Sequence, residues 1–135
     1  MKRRAPIFVL ALLVLAAALA GCAQASTPAI FDRERTALDE LPADLTAEVD
    51  AETSRYVGED SAGNRYWVVR SEGIDGTCII LLEEKTAAPW AGCGGPPIAL
   101  AIGSGLRVEL AEYPDQLSES NAELVGDTLL VGTTR

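Results

Sequence analysis

The chain contains no histidine. That absence excludes Ser-His-Asp and Cys-His catalysis, histidine-ligated zinc and histidine pH sensing, because each needs an imidazole. Basic residues are scarce: eleven Lys and Arg stand against twenty Asp and Glu, a formal charge of −9. That sign argues against nucleic acid as a partner and against electrostatic adsorption to anionic lipid. Aromatics are only 5% of the residues, so few large side chains are available for a core or a contact surface. Three cysteines are present, Cys22, Cys78 and Cys93, and no C-x-x-C spacing occurs. No internal repeat is evident. Gly92 to Gly95 is Gly-rich but lacks the lysine and following helix of a phosphate-binding loop, and is read as a bend.

What is present first is an export pattern. Lys2, Arg3 and Arg4 precede an uncharged apolar stretch from Ile7 to Ala20, and small residues then lead to Cys22. The positive start stays on the cytoplasmic side. The apolar stretch is shorter than the ~20 residues of a comfortable transmembrane helix. Pro6 and the strongly apolar run fit the general secretory route better than twin-arginine export through Arg3-Arg4.

Leu19-Ala20-Gly21-Cys22 resembles the lipobox of bacterial lipoproteins. The resemblance implies that Leu19, Ala20 and Gly21 are read by the lipoprotein signal peptidase. Cleavage before Cys22 then makes it the mature N-terminus, carrying diacylglycerol on its thiol. The implied location is the outer face of the cytoplasmic membrane, lipid-anchored, with the membrane as a partner and no cofactor beyond the covalent lipid. Two or more acyl chains anchor stably, whereas one binds marginally. A plain secretory signal and an uncleaved anchor are the alternatives.

Removing residues 1–21 from the 135 leaves 114, enough for one small domain. Three basic residues leave with that segment, so eight remain against twenty acidic and the formal charge becomes −12. Residues 22–29 are small and polar and are read as a tether. Residues 30–52 are read as a helix and acidic connector. The apolar recurrence of Ile30, Phe31, Ala37, Leu38 and Leu41 predicts an amphipathic helix over 29–41, ended by Pro42.

Residues 53–135 have strand character. Arg55–Glu59, Arg65–Ser71, Thr77–Glu83, Pro89–Gly94, Ile98–Ile102, Leu106–Ala111, Glu123–Val125 and Thr128–Val131 alternate or are apolar on both faces. Turns separate them, several with Gly, including Asp60 to Asn64 and the tight turn Gly126-Asp127, and Pro114 to Asn121 reads as a polar loop. The expected fold is mainly β: a small antiparallel curled sheet, barrel or sandwich, with one short N-terminal helix.

If the lipobox assigns Cys22 to lipid, Cys78 and Cys93 are left as one pair in a compartment that permits disulfides. A hairpin turning at Glu84 to Ala87 sets Cys78 opposite Cys93, Ile80 opposite Ala91 and Leu81 opposite Trp90. Opposed residues lie ~4.5–5.5 Å apart at Cα, within disulfide range. The alternative is a reactive or metal-binding thiol pair.

Several segments together resemble small lipoproteins of high-GC Gram-positive bacteria. They are Leu41-Pro42-Ala43-Asp44-Leu45, Arg55-Tyr56-Val57-Gly58-Glu59, Arg65-Tyr66-Trp67, Trp90-Ala91-Gly92-Cys93-Gly94-Gly95 and Asp127-Thr128-Leu129-Leu130-Val131. The resemblance implies an exported domain and carries no activity.

Asp39-Glu40, Glu59-Asp60 and Glu83-Glu84 are adjacent acids, which cannot face each other across a sugar. Asp60, Ser61 and Asn64 read as a turn before they read as a weak cation site, and no metal is expected. Trp90, opposite Leu81, is expected in the core. Tyr66 and Trp67 cannot both point inward unless both faces of their strand are covered. One of them, beside Arg65 or Arg70, is the expected interaction surface.

The functional expectation is a non-enzymatic binding domain whose partner is an envelope protein or small ligand. The alternatives are a carboxylate-based hydrolase or accessory of an envelope enzyme, and an extracytoplasmic partner of a membrane sensor.

Overall fold

Strand β2 (Arg65–Ser71) shows how the fold arises. Tyr66 and Val68 point to one face and Trp67 and Val69 to the other, and all four are buried. A strand buried on both faces needs a cover on each side. The computed structural model, which describes residues 27–45, 47–73, 75–103 and 105–133, shows both covers. The expected signal segment, with Leu19, Ala20, Gly21 and Cys22, lies outside the described residues, as does the tether through Ser26.

Strands β1 (Val49–Glu59), β2, β3 (Thr77–Leu82) and β4 (Pro89–Gly94) form one antiparallel sheet in that order. The second sheet has the order β5 (Ala99–Ala101), β6 (Leu106–Leu110), β8 (Leu129–Thr133), β7 (Ala122–Val125), also antiparallel. β4 runs beside β5 and β1 beside β7, but the sheets are not closed into a barrel. The arrangement is a sandwich.

Its interior holds Tyr66, Val68, Ile79 and Leu81 from the first sheet and Leu100, Val108, Leu110, Val125, Leu129 and Val131 from the second. Fully burying a side chain of this kind stabilises by ~1.5–3 kcal/mol. A second cluster, Trp67, Val69, Cys78 and Ile80, occupies the opposite face of the first sheet under Leu41, Leu45, Val49 and Tyr56.

The β3–β4 hairpin has the expected register, with Cys78 opposite Cys93, Ile80 opposite Ala91 and Leu81 opposite Trp90. The Cys78 and Cys93 sulfurs lie at bonding distance, 1.96 Å, with Cα atoms 4.0 Å apart. The tight turn also forms: Gly126 and Asp127 both have positive φ, and Thr128 N–H donates to the Val125 carbonyl at 3.1 Å.

Two expectations are corrected. The helix over 29–41 is replaced by two 3-10 turns, Ala29–Asp32 and Ala37–Asp39, with extended backbone between them. β1 begins at Val49, six residues before Arg55. Its early start is tolerated because the register shifts between Asp50 and Arg55. There the Thr53 hydroxyl takes the Arg70 N–H at 2.9 Å in place of a strand carbonyl.

Candidate functional site

Two carboxylates with no exposed surface organise the chain outside the sheets. Asp39 ends the second 3-10 turn. Its oxygens accept a forked pair of hydrogen bonds from Arg33 at 2.6 and 3.1 Å, and the N–H groups of Thr36 at 2.5 Å and Tyr56 at 2.6 Å. The Ser54 hydroxyl reaches the Asp39 carbonyl, and the Trp67 indole N–H donates to the Leu38 carbonyl at 3.1 Å. These bonds pin residues 33–39 to β1 and lead Leu41 and Leu45 over the outer face of the first sheet.

Glu109 does the corresponding work on the second sheet. Val108 and Leu110 point into the sandwich, so Glu109 faces outward, yet its side chain is fully buried. It accepts the N–H groups of Asp115 (2.8 Å), Gln116 (2.9 Å) and Leu117 (3.1 Å) and pairs with Arg107, which also reaches Asp115 at 2.8 Å. The loop between β6 and β7 is thereby folded over the sheet with Leu117 buried beneath it.

Burial alone would raise both pKa values. The arginine hydrogen bonds and the converging N–H groups outweigh it, since they favour the charged form. Asp39 is held well below the usual carboxylate range, and Glu109 falls to about 2.

Asp60 is a third organising acid. It accepts the Ala62 and Asn64 N–H groups at 2.9 Å each, the Asn64 amide at 2.9 Å and the Tyr66 hydroxyl at 2.6 Å. Burial, and then the hydrogen bond to Asp60, raise the Tyr66 pKa far above a phenol's usual value. The other side-chain oxygens of this turn are also engaged: the Ser61 hydroxyl donates to Glu123 at 2.8 Å, and the Asn64 side-chain oxygen Oδ1 accepts the Glu84 N–H at 3.1 Å. No group of acidic or thiol side chains arranged to hold a metal occurs among the described residues.

The expected aromatic surface is corrected. Tyr66 is fully buried in the interior and Trp67 lies under the first cover, because both faces of β2 are occupied. Arg65 and Arg70 stay exposed. Their guanidiniums sit 5.9 Å from the Trp67 ring and 5.3 Å from the Phe31 ring. Trp90 is 43% exposed instead of core, on β4, the outermost hydrogen-bonded strand of its sheet. The described surface also exposes Leu38 and Leu124.

Two shallow clefts of about 70 Å³ flank Pro28. One lies against Phe31, Arg70, Asp75 and Pro96, and the other against Leu110, Asp127 and Thr128. Sites for drug-sized ligands are usually ~300–1,000 Å³. Among the described residues, no buried side-chain polar atom lacks a hydrogen-bond partner, so none is left over to point at a ligand.

Comparison with protein-family models, curated proteins and solved structures finds no match.

Asp39 and Glu109 are not among the site residues expected from the sequence. The signals were there in outline: Thr36 three residues before Asp39 matches a capping box, and Glu109 is a charge between two core positions with Arg107 beside it.

Proposed function

We propose that the protein is an exported lipoprotein, held at the outer face of the cytoplasmic membrane through Cys22, whose domain acts by binding an envelope partner. The observation that carries this reading is the ordered signal pattern: Lys2-Arg3-Arg4, the apolar run Ile7 to Ala20, and Leu19-Ala20-Gly21-Cys22. The small disulfide-linked sandwich supports it, because a covalent crosslink of this kind persists in an oxidising compartment. A binding role, in preference to catalysis, is supported by where the acids go. Asp39, Asp60 and Glu109 are occupied by backbone and side-chain donors, and the clefts beside Pro28 are small.

Metabolic labelling with a palmitate analogue tests the anchor. The wild-type protein should take the label and Cys22→Ser should not; equal labelling of the two overturns the lipid assignment. Crosslinking in intact cells tests the binding role. A defined protein crosslink supports it, and recovery of uncrosslinked protein alone counts against it.

A further inference from the structure

The structure assigns the domain an orientation on the lipid surface, an inference that rests on the anchor proposed above. We infer that the end of the sandwich carrying Thr27, Arg70, Asp75 and Pro96 faces the bilayer. The end carrying the Asp60–Asn64 and Glu84–Ala87 turns faces away from it.

Three observations carry this. First, the chain is fixed to the body immediately after the tether. Pro28 and Phe31 are buried, and Phe31 N–H donates to the Pro28 carbonyl at 3.1 Å. Thr27 is only five positions past Cys22 along the chain. Five residues of chain span at most ~17 Å even when fully extended.

Second, Thr27 and Pro28 lie at one end of the strands. They share a cleft with Arg70 at the end of β2, Asp75 to Thr77 at the start of β3, and Pro96 just past β4. The opposite end is one connected surface. Asn64 of the β1–β2 turn accepts the Glu84 N–H of the β3–β4 turn, and Ser61 bonds Glu123 at the start of β7. β2 and its turn set these ends roughly 20 Å or more apart at ~3.3 Å per residue. The tether is shorter than the body it would have to pass, so the domain cannot invert to set the far end on the headgroups with the Thr27 end turned away while Cys22 is held there.

Third, charge favours the same pose. The domain carries −12 once residues 1–21 are removed, which resists lying flat on an anionic surface. The far end, with Glu83, Glu84, Trp90 and Glu123, is then the part presented to partners.

The test uses the full lipoprotein, purified from membranes and placed in phosphatidylethanolamine/phosphatidylglycerol vesicles that contain a nitroxide-headgroup quencher. A fluorophore is attached at Glu72→Cys, near the anchor end, or at Lys85→Cys, at the far end; both positions are exposed turns. Mass spectrometry verifies that the Cys78–Cys93 bond is intact in each variant. The Glu72 label should lose emission in quencher vesicles, and the Lys85 label should match a quencher-free control. Inserting about ten Gly/Ser residues after Ser26 should then expose the Lys85 label to quenching, since the longer tether spans the body. Equal quenching at both positions with the native tether, in protein that co-sediments with vesicles, overturns the orientation alone. Protein that fails to co-sediment overturns the lipid anchor and the orientation with it.

Discussion

Glu109 holds Leu117 by its backbone. The carboxylate Oε2 accepts the Leu117 N–H at 3.1 Å, and the Leu117 side chain lies over β8, where a Cβ added to Gly132 would come within 3.1 Å of it. Asp39 has the same relation to Tyr56 on the other sheet, at 2.6 Å. Each outer face of the sandwich thus has a covering segment, and each cover is closed by one buried carboxylate and one arginine.

Removing a latch should therefore uncover a face. Glu109→Gln keeps the size of the side chain but replaces an oxygen acceptor with a donor facing N–H groups and Arg107. The expected loss is about 3 kcal/mol, the scale for breaking a buried charge pair on one side. Urea unfolding measures it, and hydrogen exchange at the Leu117 amide should accelerate in the same variant. Leu124→Ala, at an exposed position, should change stability by less than ~0.5 kcal/mol.

Acid should act through the same groups. Asp39 and Glu109 have folded pKa values below their unfolded ones, so the unfolded chain binds more protons in acid. Their stabilisation is fully present above the unfolded pKa and is lost as pH falls toward the folded one. For Glu109 that window runs from 4.5 down to about 2. Unfolding midpoints should be level from pH 7 to about 5.5 and fall steeply below pH 4.5, with a shallower fall in Glu109→Gln. Parallel wild-type and variant profiles would remove Glu109 from the explanation.

Gly126 should tolerate no side chain. A Cβ there would lie 2.1 Å from the Val57 carbonyl oxygen, and φ is +54°. Gly126→Ala is expected to cost upwards of about 3 kcal/mol, because contact with backbone adds to the left-handed strain. Gly73 has φ of +80° and open space around its Cβ position, so Gly73→Ala should cost only ~1 kcal/mol. Thermal melts of the two variants separate the steric cost from the conformational one.

The Cys78–Cys93 crosslink should stabilise the domain by ~3 kcal/mol, as expected for a loop of about 15 residues. Cys78→Ala/Cys93→Ala should lower the unfolding midpoint accordingly. Intact-mass analysis of the oxidised domain without Cys22 should give a value two hydrogens below the reduced one.

The sequence by itself determined what depends on neighbours along the chain. Short runs of strand-forming residues bounded by turn residues specified β2, β3 and β4, and the spacing of Cys78 and Cys93 fits the register of the β3–β4 pair, since a hairpin is closed by its own turn. Gly126-Asp127 was legible for the same reason. What only the tertiary structure decided is which faces are covered and by what. Residues 29–41 have helical spacing, yet Arg33 and Asp39 bond to each other and to Tyr56, and those partners outweigh a short helix that is marginal alone. Trp67 is buried because that segment crosses over it, and Trp90 is exposed on the outermost hydrogen-bonded strand of its sheet. Neither outcome is encoded within the strand concerned. Each depends on a contact that exists only once distant segments have met.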